Sequence, residues 1–465
     1  MRPADDSAAR EGEEAGVIAG SLRCVGCDGM EPALWYELSP FSVNPSVSDS
    51  FISCPFCGLL CDDLKVAAQD GRARLEGARC ARAARLFAVP VLGQALVAGQ
   101  PVAAAAAYRA AASILARARR PLMGGLACDV SGHRAALAMA ERLSGVVDHM
   151  NGAAQFRNMR VFQDGGWVTT TLSEVRNRAD LILLAGTDAS RFPRFFERCL
   201  PPHSAHPSQF GELHRRIVVL GSGLSPLPGY PSDADLASPV PARHLGELFL
   251  ALRARLHGRR LDADPVAGMP MQQLDALLAA MRAARYGVVV WNASELDFAN
   301  ADLTIQAIVD LIKDLNQTTR WAGLPLGGSD GDTSAAQVCT WQTGYPLRMA
   351  YTASGPHYQP QSYATDALLA DAAVDALVWI SALDPARTPP SAACPSIVLG
   401  RADMTFDQAP DVFIPVAVPG VQHAGFMHRM DAAVALPLQA PAPSALPSVA
   451  QALAAIQQEM QHAAA

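Results

Sequence analysis

Past residue 95 the chain alternates stretches of helical period with short, wholly apolar runs, and the same order occurs twice. A stretch ending "ILARARR" leads to the apolar "PLMGGLA" and then to "HRAALAMAERLSG"; later "LDALLAAMRAAR" leads to "YGVVVWNAS" and "LTIQAIVDLIKDL". Each half then continues with a second unit. "LSEVRNRADLILLAGTD" and "ATDALLADAAVDALVWISALD" share a helix, an acidic residue, an apolar strand and a polar turn, and "RRIVVLGSG" and "CPSIVLGRA" follow them. Apolar runs without alternation, separated by amphipathic helices, predict parallel strands covered on both faces. The expected fold class is α/β, with two Rossmann-like parallel-sheet lobes at 96–260 and 270–435. The proline-rich segment 224–243 reads as a loop, and 436–465 as the linker "APAPSALPS" with one terminal helix. Residues 1–50 mix acidic residues with Gly, Pro and Ser without apolar periodicity, which predicts a poorly ordered extension.

A length of 465 residues allows about three domains. No uninterrupted apolar run approaches the roughly 18 residues of a membrane span, and the alanine-rich stretch 102–116 carries Arg109 and runs into Arg117, Arg119 and Arg120. A net charge of −7 leaves no general footprint for nucleic acid. No signal peptide is visible, so a cytoplasmic protein without membrane contact is expected, with protein or small-molecule partners.

The strongest chemical signal lies in 51–95. Cys54, Cys57, Cys61 and Cys80 stand as C-x2-C-x3-C-x18-C inside "SCPFCGLLCDDLKVAAQDGRARLEGARC". Three thiolates on one tight loop, with a fourth returning after a polar segment, suit a compact soft-metal centre and read as an iron–sulfur cassette. A zinc ribbon is the second reading, because Cys24 and Cys27 form another C-x2-C, although 26 residues separate the two pairs where about 15–20 are usual. Disulfides are disfavoured in a reducing compartment.

Other candidates carry less. Gly124–Gly125, Gly221-Ser222-Gly223 and Gly327–Gly328 follow apolar runs, where a backbone could approach a phosphate or ring, but none forms a dinucleotide fingerprint or a P-loop. Ser222 lacks the full nucleophile elbow. His203 and His206 have loose metal spacing with no acidic or cysteine ligand near in sequence, and His423 and His428 lie in a segment with a structural explanation of its own.

"CGLLCDDL", "TTTLSEVRNRADLILLAGTD", "WQTGYP" at 341–346 and "FIPVAVPGVQHAGFMHRMDAAVALPL" at 413–438 resemble the B subunit of formylmethanofuran dehydrogenase, within the molybdopterin oxidoreductase superfamily. They resemble still more its bacterial counterpart in the formyltransferase/hydrolase complex of methylotrophs. The resemblance spans about 52–438. It implies a molybdopterin oxidoreductase-like fold and a four-iron four-sulfur cluster on Cys54, Cys57, Cys61 and Cys80. It also implies that the family's tungsten- or molybdenum-ligating cysteine and its histidine fall at Ala154 and Gln155, with no cysteine between Cys128 and Cys199 to replace them. The family's Arg-Gly-His-Tyr stretch corresponds to Gly327-Gly328-Ser329-Asp330.

The expectation is a B subunit that keeps its cluster ligands, lacks the tungsten or molybdenum bis-pterin and has no catalytic residue of its own. It would scaffold a complex of one-carbon metabolism, on the path from formaldehyde to formate. The resemblance implies A, C and D subunits as partners, with an amidohydrolase-like A chain and a formyl-transferring D chain. An active pterin-dependent dehydrogenase subunit and a zinc-ribbon interaction protein are the alternatives.

Overall fold

The computed structural model describes residues 51–69, 71–77, 80–200, 214–224, 233 and 236–464. Cys24, Cys27, His203, His206 and the expected extension 1–50 lie outside them.

Every apolar run singled out above is a strand. Pro121–Ala127, Leu181–Ala185, Arg216–Leu220, Gly287–Asn292, Trp321–Leu326, Ala376–Ser381 and Ser396–Gly400 all form, and the amphipathic stretches between them are helices. Local chemistry sets their ends. Asp129 begins helix Val130–Arg142 by accepting from the amides of Ser131 and Gly132, and Thr171 begins Leu172–Arg178 by accepting from Glu174. Gly344, at φ +82°, stops helix Asp332–Thr343.

The strands assemble differently from the expected lobes. Leu181–Ala185, Arg216–Leu220, Gly287–Asn292 and Trp321–Leu326 form one all-parallel four-stranded sheet, drawing two strands from each expected lobe. The second sheet has nine strands. Its parallel centre runs Val146–Val147, Pro121–Ala127, Ala376–Ser381, Ser396–Gly400 and Val412–Pro415, with antiparallel hairpins at both edges. The division at 96–260 and 270–435 is therefore corrected. The four-stranded unit is a continuous insertion, and the chain returns after it to complete the nine-stranded sheet. An apolar run shows that a strand is buried, but not which sheet it joins, because parallel neighbours need not be close in sequence.

Side-chain alternation places two cores on the four-stranded sheet. Leu181, Leu183, Val218, Val289 and Trp291 face helices Leu245–Leu256, Met271–Ala283 and Ala301–Leu315. Ile182, Leu184, Val288, Val290 and Leu324 face the opposite core, whose cover combines the cysteine segment, through Ile52, Phe56, Leu59 and Phe87, with helices Leu172–Arg178 and Phe195–Cys199. The terminal helix Val449–Ala464 packs across Ala104–Arg117 and Val130–Arg142 and buries Val449, Ala452, Leu453 and Ile456. Among the described residues no helix is long and apolar enough to cross a membrane.

The cysteine loop is fixed by a backbone contact. Gly58 lies so close to Gly327–Gly328 that a Cβ added to it would be driven into the carbonyl oxygen of Gly327, and a Cβ on Gly328 would stand 2.7 Å from the Cα of Gly58. The amide of Met430 donates to the carbonyl of Gly58 at 2.9 Å. A Cβ on Gly327, by contrast, meets nothing within 4 Å. Gly58→Ala should therefore lower stability by about 1–3 kcal/mol, the range for overpacking a rigid contact, while Gly327→Ala should stay within about 0.5 kcal/mol. Urea midpoints of the two variants check the contrast; equal midpoints would show that the contact yields.

Candidate functional site

The cassette brings the four cysteines into one neighbourhood. Cys54 donates its amide to the carbonyl of Cys61 at 2.8 Å, and Leu60, at φ +41°, donates to Cys57 at 3.1 Å, closing a tight loop. Cys54, Cys57 and Cys61 are buried, while the half-buried Cys80 caps helix Ala81–Phe87 with its sulfur accepting from Ala83.

Burial pushes all three loop thiols up, Cys61 to about 12, and the neighbouring sulfurs push in the same direction: Cys57, Cys61 and Cys80 all act on Cys54. Guanidinium groups oppose this. Arg82 and Arg194 favour the Cys57 thiolate, and Arg198 and Arg194 that of Cys61. Arg194 is 3% exposed and holds Asp63 through two bonds of 2.6 and 2.7 Å, with Glu197 on its other edge. Its hydrogen bonds keep the Asp63 carboxyl below the usual range. Four mutually interacting thiols beside fixed cations form a donor set suited to a soft polynuclear centre, whose thiolates need charge compensation. Among the described residues no three His, Cys, Asp or Glu side chains are grouped so as to hold a single metal ion.

A cavity of about 590 Å³ adjoins the cassette. Ala154 and Gln155, on helix Gly152–Gly165, line it together with Gly327, Gly328, Ser329 and Asp330, which follow strand Trp321–Leu326. Positions far apart in the sequence are thus one site, at the carboxyl end of a parallel strand. Arg82, two residues after Cys80, lines it too and links cavity to cassette. Neither Gly124–Gly125 nor Ser222 does. Gly125, at φ +74°, lies against the backbone of Ile380, and the amide of Ser222 is bonded to Val240. His428 is packed edge-on against Trp341, and its amide donates to the hydroxyl of Ser334 at 2.8 Å.

The polar floor is a clasp around 329–332. Asn151 donates through Nδ2 to the carbonyl of Ser329 at 3.0 Å and to Asp332 at 3.2 Å, and accepts at Oδ1 from Arg387 at 2.7 Å. Arg387 also pairs with Asp330 at 3.3 Å, with Arg82 at 4.0 Å from the same carboxylate. His149 accepts the Asn151 amide at Nδ1, so its proton sits on Nε2 and goes to the Asp330 carbonyl at 3.1 Å. That bond secures Asp330 at φ +56°. Gln155 donates to the Asp332 carbonyl at 2.8 Å. Asn151, Asp332, Arg387 and Arg82 were not legible in the sequence; the only local hint is the small, turn-forming run "GGSDGD" opposite "MNG".

Burial, reinforced by Asp330, raises Asp332 to about 7, while burial lowers His149 and His133 to about 3. The signs oppose. Asp332 keeps its proton in the folded state, so its contribution is full below about pH 4 and is lost as pH rises through 7; the buried histidines contribute stability above about pH 6.5 that is lost as pH falls towards 3. Asp332→Asn should remove the first effect and steepen the rise of stability with pH, by up to about 1.4 kcal/mol per pH unit between pH 4 and 7. Denaturant midpoints at pH 5 and 8 test this; parallel profiles for variant and wild type would contradict it.

No family model matches the chain. It is 26% identical over 399 residues to the B subunit of tungsten-containing formylmethanofuran dehydrogenase 2 from Methanocaldococcus jannaschii, a match covering 82% of this chain and 91% of that protein. It is 27% identical over 325 residues to the B subunit of the formyltransferase/hydrolase complex Fhc from Methylorubrum extorquens, covering 69% of this chain and 84% of that one. Among solved structures, a chain of the Methylorubrum extorquens formyltransferase/hydrolase complex FhcABCD, in complex with methylofuran, shares its fold at a TM-score of 0.68 and 25% identity, over 80% of this chain and 99% of that chain. Both of these curated relatives are named as B subunits, one of a formylmethanofuran dehydrogenase and one of the formyltransferase/hydrolase complex.

Proposed function

We propose that this chain is the B subunit of a formyltransferase/hydrolase complex of one-carbon metabolism, on a molybdopterin oxidoreductase-like fold, and that it contributes structure and no redox chemistry. Its partners in this reading are A, C and D subunits, which carry the formyl transfer and hydrolysis, in the cytoplasm.

One observation carries the reading. The positions assigned by resemblance to the metal thiolate, the histidine and the arginine all line the cavity, as Ala154, Gln155 and Gly327. Among the described residues no cysteine or histidine lines it. Asp330 and Asp332 are committed to Arg387, Arg82 and Asn151, and the Gln155 amide holds the Asp332 carbonyl. These residues offer neither thiolate nor imidazole to a tungsten or molybdenum centre, and so do not fit the donor set that the resemblance implies. They serve instead to tie helix Gly152–Gly165 to the loop after Trp321–Leu326.

Cys54, Cys57, Cys61 and Cys80 fit a four-iron four-sulfur cluster by donor type, mutual proximity and flanking cations. A cluster there would offset the cost of burying three thiols and would brace the cover of the four-stranded sheet.

Protein purified without oxygen should contain about four irons and four sulfides per chain, with no tungsten or molybdenum, and should not reduce a viologen dye with formate. Stoichiometric tungsten or molybdenum with formate oxidation would instead establish an active dehydrogenase. Zinc without iron would identify the interaction protein. Replacing Cys57 by Ser should release the iron and lower the melting temperature by several degrees, since a centre bound only to the folded state stabilises it by mass action.

A further inference from the structure

Arginines gather at the end of the four-stranded sheet that faces away from the cavity. The four strands are parallel, and the cavity lies at the carboxyl ends of Trp321–Leu326 and Gly287–Asn292. At the amino ends, Arg320 directly precedes Trp321–Leu326, Arg285 stands two residues before Gly287–Asn292, Arg178 lies three before Leu181–Ala185, and Arg215 and Arg216 open Arg216–Leu220. Arg176 and Arg282, on helices Leu172–Arg178 and Met271–Ala283, extend the row. Neighbouring strands lie about 4.8 Å apart, so four of them spread it over about 15 Å.

The row is one surface, knit together by its own backbone. Asp180 accepts from the amides of Arg285 and Tyr286 at 2.8 and 3.0 Å, the Gly287 amide donates to the Arg320 carbonyl at 2.9 Å, and the Arg178 guanidinium lies 5.0 Å from the centre of the Tyr286 ring. Several guanidinium groups are oriented by main-chain carbonyls, which fix a cation without neutralising it. Arg176 donates to the Arg198 carbonyl at 3.0 Å, Arg215 Nε to that of Ala179 at 3.1 Å, and Arg282 to that of Leu256 at 2.8 Å. Glu174 pairs with Arg178 and Asp233 with Arg216. Among the described residues the arginines outnumber these carboxylates, on a chain whose formal net charge is −7.

A row of this length is more than one small anion can engage. Single-stranded nucleic acid needs aromatic rings on which bases stack, and among the described residues no exposed aromatic side chain belongs to the row, Tyr286 being buried. Pre-oriented guanidinium forks match carboxylates in pairs, and arginine is enriched where proteins meet. We infer that this arginine row docks an acidic surface of a partner subunit. The inference rests on the reading above in that the chain belongs to a complex, and it places the contact at the far end of the sheet from the cavity.

The test compares the full chain alone with the complex it forms. Phenylglyoxal should modify Arg282 and Arg320, both exposed in the isolated chain, at least about tenfold more slowly in the complex, before and after nuclease treatment. Replacing both by glutamate should weaken assembly by about 100-fold or more, whereas lysine at both positions should keep it within about tenfold of wild type. If the glutamate variant fails to fold, the protection of wild-type protein decides. Equal reactivity in chain and complex, or wild-type assembly of a folded glutamate variant, would overturn the inference and leave the B-subunit reading intact. Protection that nuclease removes would overturn it in favour of nucleic acid. A chain that purifies with no A, C or D subunit would overturn the B-subunit reading, and with it the partner named here.

Discussion

The close approach of two backbones, Gly58 against Gly327–Gly328, is the contact on which the rest of this structure depends. It joins three things that the sequence keeps far apart: the cysteine loop, the floor of the cavity and, through the Met430 amide on Gly58, the returning chain of the nine-stranded sheet. Side chains cannot substitute for it, because a single Cβ on Gly58 would occupy the space of a carbonyl. The cassette is thereby pressed onto the four-stranded sheet, where Phe56 and Leu59 cover Ile182, Val288 and Leu324. A metal centre in such a place is part of a core, and its loss would be felt as a loss of packing.

The same loop explains how the cavity keeps its shape. Residues 327–332 are held by Asn151, Gln155, His149 and Arg387 from the other side. Every one of these partners is a side chain with several bonding edges, and among the described residues all but Gln155 leave no buried edge unused within the clasp. Buried polar networks hold their shape when their members are satisfied. The cavity wall is thus a self-supporting structure.

How far the sequence could be read follows from the range of each signal. Strands such as "LILLAG" and "YGVVVWN" were legible because burial on both faces leaves an unbroken apolar run, and the cap at Asp129 and the stop at Gly344 are local events. The four cysteines were legible from spacing alone. The two sheets were not, because Leu181–Ala185 and Gly287–Asn292 pair across a long stretch of chain, whereas Pro121–Ala127, nearer in sequence to Leu181, belongs to the other sheet. Ala154, Gln155 and Gly327 could be marked as departures from a family pattern, but that they meet in one cavity is a fact of folding. Arg387 and Asn151 carry no motif, and their role is a consequence of position.

Charge decides the last step. Cys54, Cys57 and Cys61 are buried deeply enough that burial alone favours the neutral thiols, yet Arg82, Arg194 and Arg198 are arranged around them at some cost, since each cation must itself be held. Arg194 is held by Asp63 and Glu197, and Arg198 by Asp62 and Asp63, the two acidic residues that directly follow Cys61. These carboxylates compensate the guanidinium groups, so the second ring is held in place whichever form the sulfurs take. Acidic residues outside, guanidinium groups next and thiols at the centre make an arrangement in which the cations favour the thiolates of Cys57 and Cys61 while burial opposes them.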